Sequence, residues 1–361
     1  MPNSSNQRLS SVMSHLTSSK PKVVICRNLG PAMPLLMDRT DLDLVVWGED
    51  SACTRAWLLE NIKGATGVLV LLQEMVDAEL LDAAGPSLRV VSTMSVGTDH
   101  IDLPLMAKRN IRVGYTPDVL TEAVADLSVM LALMAGRNDG VAYSLVKSGD
   151  WPKFNWSPFT FCGPQLSTTS SSPSRTVGFL GFGRIGQATL ARLIPFGITH
   201  VLYTGRSTSA PDSARDTALR EKHRLAAVEH ASLDRLARES DILFVLTPGG
   251  QDTYHLVDSV FLRKMKPLSV LVNTGRGTVV DADALATALR EKWIWGAGID
   301  VLEGEPRISA DHPLVKEPRC VIVPHIGSAT FQTRMDMATR AIDNLVAGVL
   351  GGNMPAELVA K

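Results

Sequence analysis

Short β-rich apolar runs alternate with longer polar or helix-forming stretches along almost the whole chain from Lys22 onward. Residues 23–26, 44–47, 68–72 and 90–94 make a first series of such runs, and residues 177–180, 201–203, 242–246, 270–272, 299–302 and 321–323 a second. Strand alternating with helix predicts parallel sheets with crossover helices, an α/β fold. Between the series, residues 120–134 are apolar on most faces, which predicts a helix buried between two bodies. Residues 334–350 read as a last long helix stopped by Gly351-Gly352.

Length agrees with two series, since 361 residues amount to two domains at about 150 residues each. The segment 151–175 breaks the alternation. Trp151, Phe154, Trp156, Phe159 and Phe161 crowd into it, in a chain only 5% aromatic, and a Ser/Thr-rich run from Ser167 to Ser174 follows. The aromatics call for burial, in their own domain or against a second subunit. The Ser/Thr run reads as a flexible surface loop.

Composition narrows the function classes. With 45% hydrophobic and 20% charged residues, the chain has enough apolar material to offset the entropy of ordering. Its 36 basic and 37 acidic side chains leave a formal charge of −1, so no global field draws it to nucleic acid or an anionic membrane. No apolar run approaches the roughly 20 residues that span a bilayer. Cys26, Cys53, Cys162 and Cys320 are far apart with no C-x-x-C pair, which argues against a disulfide framework and for a reducing compartment, the cytoplasm. No metal site is expected. Residues 1–20 are Ser-rich, carry only Arg8 and Lys20 as charges, and read as a disordered tail, with an organellar transit peptide as the weaker alternative.

The sharpest motif is Gly181-Phe182-Gly183-Arg184-Ile185-Gly186, placed between a strand and a helix. Gly181 permits the turn, Gly183 lets backbone amides reach a pyrophosphate, and Gly186 lets helix and strand pack closely. Arg184 and Ile185 open the helix whose positive end faces the phosphates. The next strand ends in Gly205-Arg206-Ser207, with no carboxylate until Asp212. An NAD site usually has an acid there for the ribose 2′-hydroxyl, whereas arginine pairs with a 2′-phosphate. The reading is therefore NADP(H) preferred, with NAD(H) possible. A dinucleotide site implies hydride transfer. Three later strand ends supply Arg276, Glu305 and His325, and open α/β sheets bind ligands at that edge.

These residues and several longer stretches resemble the D-2-hydroxyacid dehydrogenases, and within them the glyoxylate/hydroxypyruvate reductase branch. The resemblance runs from about Lys22 to the C-terminus. It includes Ser92-Thr93-Met94-Ser95-Val96-Gly97-Thr98-Asp99-His100, similar to the family's substrate loop, the run Arg112 to Leu120, Tyr203-Thr204-Gly205-Arg206, and Pro324-His325-Ile326-Gly327-Ser328-Ala329-Thr330.

The resemblance implies a Rossmann-type doubly wound NAD(P)-binding domain, 119–330, inserted into a flavodoxin-like substrate-binding domain, 21–118 and 331–361. A dimerisation arm near 136–175 would make a homodimer. It implies that Arg276 holds the 2-oxoacid carboxylate, that the amides of Val96 and Gly97 bind the same group, and that His325 protonates the carbonyl oxygen with Glu305 favouring the charged ring. Met94 and, from the partner subunit, Trp156 would shape the substrate pocket. Asp300 would hold the nicotinamide carboxamide, and Thr247, Pro248, Thr274 and Gly327 would line the cofactor cleft. Departures are Gly275 where a serine is common, Thr278 where Asp or Ala is usual, Gly249-Gly250 after Thr247-Pro248, and extra residues at 167–173.

The expected activity is NADPH-dependent reduction of glyoxylate to glycolate and of hydroxypyruvate to D-glycerate. The alternatives are another D-2-hydroxyacid dehydrogenase, acting on lactate or a bulkier 2-oxoacid, and a dinucleotide-sensing corepressor-like scaffold. The formate dehydrogenases share the fold but resemble this chain with Gln at the Glu305 position, and Glu there argues against that branch.

Overall fold

The computed structural model describes residues 20–205 and 212–358. The expectations for residues 1–19, Arg206 and Ser207 fall outside them. The chain divides into two compact units. One runs as far as Tyr115 and resumes at Ala338, and the other holds Thr116–Met337. From sequence the boundaries were set at 118/119 and 330/331.

In the first unit β1 (Lys22–Ile25), β2 (Asp43–Val46), β3 (Gly67–Val70), β4 (Val90–Thr93) and β5 (Arg112–Gly114) lie parallel in the order β5-β4-β3-β1-β2. This is the flavodoxin order. β3 and β4 are buried at every position, so they read as unbroken apolar runs rather than as alternating ones. Val24, Val68, Val70 and Val91 meet Leu58, Leu80, Leu81 and Met106 from the covering helices. Those helices start at side-chain caps, with Thr54 accepting from the Trp57 amide and Asp77 from the Leu80 amide. The strand Glu357–Leu358 closes the β5 edge antiparallel, Glu357 opposite Gly114. Arg112 grips Glu357 with two parallel bonds of 2.9 and 2.6 Å.

The second unit has seven parallel strands: β6 (Thr176–Leu180), β7 (His200–Thr204), β8 (Ala227–His230), β9 (Ile242–Val245), β10 (Val270–Asn273), β11 (Gly296–Ile299) and β12 (Cys320–Ile322). Their order is β12-β11-β10-β9-β6-β7-β8, the doubly wound arrangement in which the winding reverses between β6 and β9. Separate cores cover its two faces, one around Leu243, Leu271 and Leu285, the other around Phe179, Phe244 and Leu131.

Four local expectations change. The run at 299–302 is not a strand: β11 ends at Ile299, because its residues 296–298 are Gly-Ala-Gly, too small to look β-forming yet small enough to lie under a helix. The strands β5, β8 and Glu357–Leu358 were not anticipated, being short and partly polar. The helix Thr121–Gly136 buries Leu131, Ala132 and Ala135 but leaves Met130 39% and Leu133 38% exposed, so it is not enclosed all round within its unit. The Ser/Thr run forms a hydrogen-bonded turn, with Thr169 and Ser172 exchanging amide bonds of 3.0 and 3.1 Å and Thr168 donating to the Phe196 carbonyl at 2.9 Å.

The helix Thr121–Gly136 can touch β11 backbone to backbone because β11 has no side chains in the way. A Cβ on Gly298 would stand 2.7 Å from the Leu131 Cβ and 2.9 Å from the Leu131 carbonyl oxygen. Gly298→Ala should therefore force helix and sheet apart and cost about 1–3 kcal/mol, as overpacking does, read from the shift in urea midpoint. Unchanged stability would mean that the helix can yield freely.

Candidate active site

The winding reverses between β6 and β9, the place where doubly wound sheets bind their ligands. Gly181 makes the first turn there. Its φ is +93°, its amide donates to the Thr204 carbonyl at 2.9 Å, and an added Cβ would lie 2.9 Å from the Leu246 backbone, so any side chain is both strained and obstructed. Gly183 has open space around it. It caps the helix Arg184–Leu193 without a side chain, which leaves the first-turn amides free of a competing cap and directed at whatever anion enters. Gly186 brings helix and strand close, with a Cβ position 3.1 Å from the Gly181 carbonyl oxygen. These residues fit a dinucleotide pyrophosphate.

Other residues assigned to the cleft are anchored around it. Arg184 pairs with Asp118 at 2.7 Å, and Ile185 is half-buried. Thr247 and Pro248 follow β9, and Gly205 follows β7 and is exposed. Beside that end lies an arrangement the sequence did not announce. The Tyr203 hydroxyl donates to Asp216 at 2.6 Å, and the Arg215 guanidinium covers the Tyr203 and Phe182 rings at 4.5 and 5.1 Å. Burial and the Asp216 carboxylate push the Tyr203 hydroxyl up to about 12.

The chemistry-bearing side chains sit at the ends of β10, β11 and β12. Asn273, 1% exposed, ends β10. It shapes the turn by donating to the Arg276 carbonyl at 3.0 Å and accepting from the Gly275 amide at 3.1 Å. Arg276 is aligned by its own bond to the Gly275 carbonyl, 2.8 Å. The departure to Gly275 has a steric reason, because a Cβ there would meet the Thr247 carbonyl oxygen at 2.8 Å. Thr274 is buried, its hydroxyl 2.8 Å from that of Ser128.

His325 and Glu305 come together directly. The imidazole Nδ1 is 2.6 Å from Glu305 Oε1, while Glu305 Oε2 accepts the Leu302 amide at 3.0 Å. Both carboxylate oxygens of Glu305 are thus engaged. His325 has a left-handed backbone, φ +53°, costly for a non-glycine residue unless its surroundings enforce it. They do so through Asp300, whose oxygens accept the amides of Ile326 at 2.7 Å and Gly327 at 2.9 Å. Asp300 is 3% exposed. Burial, partly opposed by those amides and by His325, pushes its carboxyl up to about 6. The sequence assigned Asp300 and Gly327 to the cofactor, and the structure shows them first as the clamp on the His325 turn.

In the first unit, Thr93 joins Ser95 (2.7 Å) and His100 Nε2 (2.9 Å), and Ser95 donates to the Gly97 carbonyl at 2.6 Å. These buried polar groups fix the loop that carries Val96 and Gly97, with Met94 packed beneath at 8% exposure. The aromatic segment is not buried within its unit. Trp151, Trp156 and Phe159 are 63, 77 and 87% exposed, and only Phe154 and Phe161 stack, with centroids 5.0 Å apart.

Comparison with known proteins agrees with this geometry. The family model for D-isomer specific 2-hydroxyacid dehydrogenase, NAD binding domain, matches residues 129–327. The glyoxylate reductase/hydroxypyruvate reductase of Mus musculus is 43% identical over 323 residues, 90% of this chain and 93% of its own. The glyoxylate reductase of Thermofilum pendens is 42% identical over 344 residues, 95% of each chain. Among solved structures, the NADPH-dependent glyoxylate/hydroxypyruvate reductase of Sinorhizobium meliloti in complex with NADP and malonate superimposes with a TM-score of 0.74 at 31% identity, covering 94% of this chain and 97% of that one. The protein is thus an oxidoreductase with a nicotinamide dinucleotide site, and the chain belongs to the D-isomer specific 2-hydroxyacid dehydrogenase family.

Proposed function

We propose that the protein reduces glyoxylate to glycolate and hydroxypyruvate to D-glycerate, with NADPH preferred over NADH. The observation that carries the reading is the 2.6 Å pair of His325 Nδ1 and Glu305 Oε1, a ring nitrogen held so that the other can deliver a proton. A bound nicotinamide dinucleotide supplies the hydride. Arg276 takes the substrate carboxylate through its planar fork, which a lysine cannot copy. His325 donates the proton from Nε2 to the carbonyl oxygen, and Glu305 compensates the ring's positive charge beforehand. Arg206 is assigned the 2′-phosphate. The named activities of the relatives support the substrate class, and the absence of a carboxylate between Gly205 and Asp212 supports NADPH.

No helix among the described residues is long and apolar enough to cross a membrane, and the four cysteines are free thiols. Both agree with a cytoplasmic enzyme. We assign a homodimer to the exposed Trp151, Trp156 and Phe159, since solitary large aromatics rarely face water in such density.

Initial rates with glyoxylate, hydroxypyruvate and pyruvate, each against NADPH and NADH, test the reading. Glyoxylate and hydroxypyruvate should give the higher kcat/KM and NADPH the lower KM. His325→Ala should lower kcat about a hundredfold to ten-thousandfold. Pyruvate as best substrate would move the assignment to another dehydrogenase of the family. Tight cofactor binding without turnover would favour the scaffold reading.

Asp300 allows a separate test. Its carboxyl titrates at about 6 in the folded protein against about 3.9 unfolded. Between those values the native state keeps a proton that the unfolded chain has lost, so this stabilisation is present at low pH and vanishes as pH rises through 6. Relative to Asp300→Asn, the wild type should gain stability when pH falls from 7 to 4 in urea titrations. A constant difference across that range would sink the assignment. The variant should also lose kcat, about ten- to hundredfold, through a misplaced His325.

For the dimer, wild type should sediment as two chains. Trp156→Ala should raise the KM for hydroxypyruvate while leaving KM for the cofactor alone, and a monomer with full activity would contradict the assignment.

A further inference from the structure

His255 sits where two loops of the site meet, although neither the mechanism above nor the glycine-rich motif uses it. Its amide donates to the Thr278 carbonyl at 2.9 Å. The chain beyond it stays laced to the same stretch, the Val257 amide donating to the Val279 carbonyl and the Asp281 amide to the Val257 carbonyl at 3.0 Å each. The His255 backbone therefore belongs to the loop that starts at Arg276. Its ring belongs to the other loop, with Nε2 2.9 Å from Glu303 Oε2. The Tyr254 hydroxyl donates to the same carboxylate at 3.4 Å, and the Tyr254 and His255 rings stack with centroids 3.9 Å apart. Asp281 lies 3.9 Å from Nδ1.

Glu303 is part of the turn that presents Glu305. That turn closes on itself, the Glu305 amide donating to the Leu302 carbonyl at 3.2 Å and the Leu302 amide to Glu305 Oε2 at 3.0 Å. Two contacts fasten it to the Arg276 loop. One is Gly277, where a Cβ would lie 2.1 Å from the Leu302 carbonyl carbon and 2.3 Å from the Glu303 nitrogen, so the two backbones touch with no room for a side chain. The other is the pair of His255 and Glu303. His255 enters it with a left-handed backbone, φ +50°, which a non-glycine residue keeps only where its surroundings enforce it. A side-chain pair as exposed as this one, 29 and 40%, adds little to stability. What it supplies is a position.

We propose that His255 is a positioning residue for the reaction, holding the turn that carries Glu305 at a set distance from Arg276. The inference rests on the roles assigned above to Arg276, Glu305 and His325. In a 2-oxoacid the carboxylate carbon is bonded directly to the carbonyl carbon. The group that grips one and the acid that protonates the oxygen on the other must therefore keep their separation closely, since a misplacement of about 1 Å can cost about a hundredfold in rate. His255 acts on neither atom. It keeps one loop against the other.

The test is a double-mutant cycle on the full-length enzyme with glyoxylate and NADPH. His255→Asn keeps the left-handed backbone, which asparagine tolerates, and replaces the ring by a shorter side chain that falls short of Glu303. Glu303→Ala removes the partner from the other side. Each should lower kcat/KM for glyoxylate about tenfold and leave the KM for NADPH within about twofold of wild type, with the urea midpoint nearly unchanged. In a Glu305→Gln background each should cost less than about twofold, because the carboxylate it positions is gone. An equal loss with and without Glu305, or wild-type kcat/KM in both variants, would overturn the inference alone. A Glu305→Gln enzyme working at the wild-type rate would instead remove the proton-donor reading, and the inference with it.

Discussion

Asp300 loses its water when β11 carries it into the interior, and in exchange its carboxylate accepts the backbone amides of residues 326 and 327. That exchange governs the surrounding geometry. To bring both amides onto one carboxylate, the chain after β12 must turn sharply, and His325 is the residue that absorbs the turn with a positive φ. Once it has done so, its ring faces Glu305, which is itself fixed by the Leu302 amide. A histidine left to an ordinary strand exit would swing over a wide arc. Here the rotation is removed before any ligand arrives, and the cost is an incompletely compensated buried carboxyl.

The first unit uses the same economy of polar groups with neutral partners. Thr93, Ser95 and His100 are all nearly inaccessible to solvent, and each satisfies another, so the loop through Val96 and Gly97 is shaped by hydrogen bonds that cannot be exchanged for water. In both units, therefore, sheet ends carry polar clusters that hold the neighbouring backbone in one arrangement.

Much of this was legible in the sequence because it follows from period and from glycine. The buried strands are continuous apolar runs, and Gly181, Gly183 and Gly186 stand where a turn, an open amide and a close contact require them. Glu305 and His325 were found because both lie just beyond apolar runs. What escaped were features with no local signal. β11 is built from Gly-Ala-Gly because the helix above it leaves no room, a fact about a neighbour that lies far away in the chain. Asp300 carries nothing in its flanking sequence to say that its oxygens go to residues 326 and 327.

The edge strand Glu357–Leu358 has a consequence for how the chain is made. Asn344, fully buried, donates to the Tyr115 carbonyl and accepts from the Ala356 amide at 2.9 and 2.8 Å, and Ser92 donates to the Ala341 carbonyl at 2.7 Å. The first unit to leave the ribosome is thus the last to be complete. Its sheet emerges early with β5 as an open edge, whereas Thr116–Met337 emerges as one uninterrupted stretch and can finish beforehand. Until residues 338–358 arrive, an unpaired strand edge and an uncovered apolar face wait in the cell, which makes the nascent first unit the part of this enzyme that most needs a chaperone.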